Sequence, residues 1–200
     1  MPKQIVVIHG GNAFETYEEY LNDLRAREPS IERIMKIGWK MQLGNALGSD
    51  YLVLNPKMPN ADNARYLEWK IWFEKLNNIF DEEVIMIGHS LGGIFLTKYL
   101  SENKYPKKIK ATFLISAPYN TEDDHPLVDF NIEKDLDGVI QQGGKIFLYH
   151  SRDDEVVPFS NCERYQRELP EATVKVFEDR GHFNSEEFPE IVEDIKMINW

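Results

Sequence analysis

The stretch Val84-Ile85-Met86-Ile87-Gly88-His89-Ser90-Leu91-Gly92-Gly93 is an apolar run closed by Gly-x-Ser-x-Gly. The run from Val84 to Ile87 reads as a buried parallel strand. Ile94, Phe95, Leu96, Tyr99 and Leu100 follow at helical spacing. Strand, sharp turn and helix in immediate succession have the form of a nucleophile elbow. Gly88 and Gly92 fit because such a turn brings strand and helix backbones too close for most side chains. Ser90 would be lifted off the carboxyl end of a sheet in a strained conformation. Its Oγ would face a pocket, and the Leu91 N–H at the start of the helix would point into the same space.

Working outward, Ile5-Val6-Val7-Ile8 is a second buried strand, and it runs into His9-Gly10-Gly11-Asn12. A Gly-rich turn at a strand end allows close backbone approach to a substrate oxygen. A backbone N–H of Gly11 or Asn12 would then join that of Leu91 as the second oxyanion donor, and the residues leave the choice between the two open. The same His-Gly-Gly also reads as a plain tight turn. One such donor is worth about 3 kcal/mol of transition-state stabilisation.

Further strands are expected at Tyr51–Leu54, from Ala111, at Lys145–His150 and at Thr173–Phe177. Helical patterns lie between them: 14–27 with a capping box of Thr16 and Glu19, 30–43 with Ile31, Ile34, Met35, Trp39 and Leu43 apolar, 63–80, 163–169 and 188–198. Gly38 and Gly44 weaken the second of these. Pro56 and Pro59 fix a loop after the second strand, expected to frame the site. Strands alternate with helices throughout, which predicts an α/β chain with a mostly parallel sheet covered on both faces. No repeat or linker divides residues 1–200, so one domain is expected. The segments 14–50 and 119–144 are long enough to form a lid or pocket wall. His125, a loop histidine beside acidic residues, is read as solvated.

Composition narrows the function. Apolar residues make up 42% and charged residues 28% of 200 residues, a globular balance with material for a sizeable core. The net charge of −11 argues against nucleic acid or an anionic membrane surface as partner. Five His and one Cys leave little for a structural zinc site, and no metal or cofactor is expected. Cys162 reads as a surface or half-buried thiol. The N-terminus runs straight into a core strand and no apolar run approaches spanning length, which reads as cytoplasmic. Nothing in the residues sets the oligomeric state.

A serine hydroxyl needs a general base, and the base needs an orienting carboxylate. The order expected after an elbow of this kind is Ser, acid, His. Ser90 follows one strand, Asp153-Asp154 a later one, and Gly181-His182-Phe183 the last. All three would meet at one edge of the sheet. His182 sits in a loop from which its ring can reach Ser90. His9 lies in the oxyanion turn, His89 inside the elbow and His150 at a strand end. Of the two aspartates, Asp154 is favoured, because Val156-Val157-Pro158 gives an Asp-x-Val-Val-Pro pattern read from it. Asp153 is then a turn residue.

Gly88-His89-Ser90-Leu91-Gly92-Gly93, Asp154-Glu155-Val156-Val157-Pro158 and Gly181-His182-Phe183 resemble the α/β-hydrolase superfamily. The early His9-Gly10-Gly11 turn and the Pro56-x-Met58-Pro59-Asn60 loop with Glu68-Trp69 are similar to the small retinoblastoma-binding-protein-nine-like serine hydrolases. The segment 14–50 is longer than their usual pattern. The resemblance implies a compact α/β-hydrolase fold, a doubly wound sheet of about six strands, and metal-free hydrolysis of a small-molecule acyl substrate, carboxylesterase-like. A thioesterase, an amidase or peptidase with the same triad, or a non-catalytic binding protein on this fold are the alternatives.

Overall fold

The computed structural model describes residues 2–120 and 127–200, with the backbone alone at Arg33. Six strands appear in chain order: β1 (Lys3–Ile8), β2 (Tyr51–Leu54), β3 (Glu83–His89), β4 (Lys108–Ile115), β5 (Lys145–Ser151) and β6 (Thr173–Phe177). They form one sheet in the order β2-β1-β3-β4-β5-β6, and every neighbouring pair is parallel. The helices are α1 (Tyr17–Ala26), α2 (Ile31–Met35), α3 (Trp39–Leu47), α4 (Tyr66–Leu76), α5 (Leu91–Glu102), α6 (Asp137–Gln142), α7 (Ser160–Glu168) and α8 (Pro189–Lys196). Among the described residues, no helix is long and apolar enough to cross a membrane.

The central strands are apolar on both sides because both sides are covered. Val6, Ile8, Val84 and Met86 face a core built with α4, α5, α6 and α7. Ile5, Val7, Ile85 and Ile87 face the other, built with α3 and α8. The alternation follows from the two-residue period of a strand. The chain turns outward from β1 to β2 and then returns to place β3 on the far side of β1. That reversal is the switch point at which such sheets bind ligands beyond their carboxyl ends. In register, Ile8 lies opposite Gly88, so the His9-Gly10-Gly11 turn and the Ser90 turn emerge side by side.

Two expectations need correction. The pattern at 30–43 does not form one helix. It breaks at 36–38, and the apolar set divides: Trp39 and Leu43 enter the core, whereas Ile31, Ile34 and Met35 are each more than 70% exposed. Gly38 caps α3 in extended conformation (φ −79°, ψ 163°), and a new helix axis starts there. The expected helix at 63–80 is shorter, Tyr66–Leu76, after a 3₁₀ turn at Ala61–Asn63. By contrast, the Thr16–Glu19 capping box is formed in both directions at 3.2 Å. Within 119–144, Phe130, Leu136 and Val139 are buried in the core, and Phe130 packs edge-on against Trp69 at 5.3 Å. His125 lies outside the described residues.

Candidate active site

Ser90 joins β3 to α5 with φ 55° and ψ −125°. A non-glycine residue there costs about 1–3 kcal/mol and persists only where its surroundings fix it. They do: the Ser90 N–H donates to Ile115 O at 2.9 Å, and its carbonyl accepts from Gly93 N–H at 2.8 Å. Gly92 is required by close approach, since a Cβ there would fall on the carbonyl oxygens of Ile8 and His9.

The β1 turn lies directly over this elbow. A Cβ on Gly10 would sit 3.0 Å from Ser90 Cβ and 3.5 Å from its Oγ. A Cβ on Gly11 would sit 3.3 Å from Leu91 Cδ2 and 2.5 Å from Ala61 O. The Asn12 N–H donates to Ala61 O at 2.8 Å, and Asn12 O accepts from Ala64 N–H at the same distance. The Asn12 amide is thus spent on holding the turn. His9 has a comparable duty: its Nδ1 bonds Gly10 O at 2.6 Å and its Nε2 accepts the Met58 N–H at 2.9 Å. The Pro56–Pro59 loop is thereby fastened to the β1 turn. A cavity of about 220 Å³ opens at this point, lined among others by Gly11, Asn12, Ser90, Leu91, Leu127 and Val157. A larger cleft of about 490 Å³, between α3 and α8, carries none of the residues singled out for the site.

His182 and Asp154 meet at the same edge. His182 Nδ1 lies 2.9 Å from Asp154 Oδ2 and 3.1 Å from Oδ1. The carboxylate also accepts the N–H groups of Val156 and Val157, both at 2.9 Å on Oδ1, which explains the Asp-x-Val-Val spacing. Burial pushes the Asp154 carboxyl up, but the bond and charge of His182, with the Val157 N–H, outweigh it and bring the pKa down to about 2. The His182 ring packs 4.9 Å from the ring of His89, the residue before Ser90. Gly181 and Phe183 flank it at φ 51° and 50°.

Sequence reasoning missed four supporting residues. Asp153 is more than a turn residue: it accepts the Gly181 N–H at 2.9 Å and bonds Ser151 Oγ, tying the two loops together. His150 donates to Val157 O at 2.8 Å and lies 3.8 Å from Asp154. Burial lowers its pKa, which keeps it neutral. Trp39 of α3 donates to Phe183 O in the His182 loop, and Lys40 of the same helix reaches His89. Cys162 is buried rather than at the surface, and burial pushes its thiol up to about 11. Among the described residues, no three His, Cys, Asp or Glu side chains are gathered as a metal ion would need.

Sheet order, elbow and site edge together define an α/β hydrolase. The family model described as serine hydrolase matches residues 36–196, and the chain belongs to that family. It is 27% identical over 148 residues to serine hydrolase RBBP9 of Rattus norvegicus, covering 72% of this chain and 76% of that protein. It is 23% identical over 189 residues to YdeN of Bacillus subtilis, covering 94% of this chain and 89% of that protein. The crystal structure of the ydeN gene product superimposes with a TM-score of 0.70 over 97% of both chains, at 19% identity. An esterase from Exiguobacterium antarcticum gives 0.57 over 97% of this chain and 90% of its own, at 15% identity. The chain is therefore an enzyme of the serine hydrolase class rather than a bare binding scaffold.

Proposed function

We propose that the chain hydrolyses small carboxylic esters through Ser90, His182 and Asp154. The observation that carries this is the His182 ring, held on Asp154 by Nδ1 and packed beside the residue that precedes a strained Ser90. With Nδ1–H donated to the carboxylate, Nε2 keeps its lone pair for the Ser90 proton. Ser90 Oγ forms a bond to the ester carbonyl carbon, and its proton passes to His182 Nε2. The tetrahedral oxyanion is met by the backbone N–H groups of Leu91 and Gly11. Asn12 drops out of the earlier pair because Ala61 O occupies its N–H. Collapse breaks the bond to the leaving oxygen, which takes the proton from His182. Water then repeats the sequence on the acyl-enzyme, releasing the acid and free Ser90.

The small cavity and its mixed apolar and amide lining support a small acyl group. Hydrolysis of p-nitrophenyl acetate by the wild type and Ser90→Ala tests the reading. The variant should fold normally and lose turnover by about a million-fold. Retained turnover by folded Ser90→Ala overturns it.

A further inference from the structure

A general base must be held in one tautomer and one place, and Asp154 restrains only one nitrogen of the His182 ring. A second set of contacts reaches this residue from the opposite direction. Lys40 Nζ donates to His89 Nδ1 at 3.0 Å, and His89 Nε2 lies 2.9 Å from the carbonyl oxygen of His182. A lysine ammonium has only protons to give, so His89 Nδ1 is an acceptor and the His89 proton sits on Nε2. That proton is the one donated to His182 O. The two bonds together require a neutral His89 of a single tautomer.

We propose that His89, set by Lys40, is a positioning residue for His182, and that α3 acts as a clamp on the general-base loop. This rests on the reading of Ser90, His182 and Asp154 given above. Other bonds from the same helix support it. Trp39 Nε1–H donates to Phe183 O at 2.9 Å, Trp39 N–H to Ser185 O at 3.1 Å, and Gln42 Nε2 to Glu186 O at 3.2 Å. With the His89 bond, the carbonyls of 182, 183, 185 and 186 are all held from this side. The long 14–50 segment thus supplies a brace for the base loop.

Charge supports a functional rather than a packing role. The titratable and charged groups facing His89 are Lys40 from α3, His182 from the loop after β6, and Asp154 from the loop after β5. Lys36 shares a cleft with Lys40 beside Phe183 and Asn184. Burial, then the Lys40 charge, drives the His89 pKa well below its ordinary value, so His89 does not compete as a base. Lys40 itself is brought down to about 8 by burial. A buried imidazole beside a half-buried ammonium is costly where an apolar pair would pack without penalty. Such costs are expected where a site needs directional bonds.

The test uses His89→Leu, which removes the donor, His89→Gln, whose amide N–H can replace Nε2–H, and Lys40→Met. Turnover of p-nitrophenyl acetate is followed from pH 5 to 10, with circular dichroism to confirm folding and Ser90→Ala run in parallel. Small displacements of a catalytic group cost up to about a hundredfold. His89→Leu should therefore lose about ten- to a hundredfold in kcat with KM little changed, and His89→Gln should recover most of it. Lys40→Met should lower kcat less, and an inflection near pH 8 in the wild-type profile should be absent from it. Folded Lys40→Met with wild-type kcat and profile overturns the proposal, as does folded His89→Leu with wild-type kcat. If His89→Leu does not fold, Lys40→Met decides, and a wild-type kcat and profile in it overturn the proposal. Inactive Ser90→Ala beside those unchanged variants removes the positioning role alone. Active Ser90→Ala removes the triad reading and this proposal with it.

Discussion

His182 Nδ1 faces both oxygens of Asp154, at 2.9 and 3.1 Å, while Oδ1 is also claimed by the N–H groups of Val156 and Val157. That division predicts the effect of Asp154→Asn. The two backbone donors will keep the amide oxygen, so the amide nitrogen must turn toward His182. A donor facing Nδ1 forces the His182 proton onto Nε2, where it blocks acceptance from Ser90. The fold should survive, and kcat should fall by about 10⁴. Steady-state kinetics beside a thermal melt check this. A loss below tenfold would show that another group orients the ring.

The same carboxylate couples stability to acid. Its pKa is about 2 in the folded chain, below its ordinary 3.8. A depressed carboxyl contributes stability above its unfolded value and loses it as pH falls through the folded one. The contribution is about 2 kcal/mol at neutral pH, disappearing between about pH 4 and 2. Urea unfolding across that range should show a steeper acid loss for the wild type than for Asp154→Asn. Parallel acid slopes would contradict the account.

The sheet and the elbow were legible because their signals are local. Buried strands such as Ile5–Ile8 and Val84–Ile87 are apolar runs, and the elbow is a five-residue motif in sequence. The Asp-x-Val-Val pattern shows in the sequence because the N–H groups bonded to Asp154 come from residues two and three positions on. The clamp was not legible. Trp39 and Phe183 are separated by 144 positions and Lys40 and His89 by 49, and nothing in the local pattern links them. Trp39 read only as an apolar helix position. The break at Gly38 was weakly signalled, since Ile31, Ile34 and Met35 continue the helical spacing while facing solvent. The bond that occupies the Asn12 N–H comes from Ala61, about fifty residues downstream of the turn, which no local pattern signals.

Gly11→Ala addresses the oxyanion turn. A methyl there meets Ala61 O at 2.5 Å, and Ala61 O also holds the Asn12 N–H. Neither backbone can yield without moving the turn, so the Gly11 N–H should be displaced from the oxyanion position. Losing one such donor costs about 10²–10³ in kcat. KM should change far less, because the donor acts on charge that develops in the transition state. A variant with normal kcat would assign the second donor elsewhere.

Lys40→Met should also stabilise the protein, in a pH-dependent way. The ammonium has an ordinary pKa of 10.5 and is held at about 8 by burial in the fold. Below pH 8 both folded and unfolded chains carry the proton, and the folded state bears the full cost of burying it. Between about pH 8 and 10.5 the unfolded chain binds more protons, so wild-type stability should rise with pH in that window. The cost removed at pH 7 is at most about 3 kcal/mol, reduced by the lost bond to His89. Denaturant unfolding at pH 7 and pH 10.5 measures it: the variant should be more stable at the lower pH, and the difference should shrink at the higher. Equal stability at pH 7 would mean that the bond to His89 repays the burial of the charge.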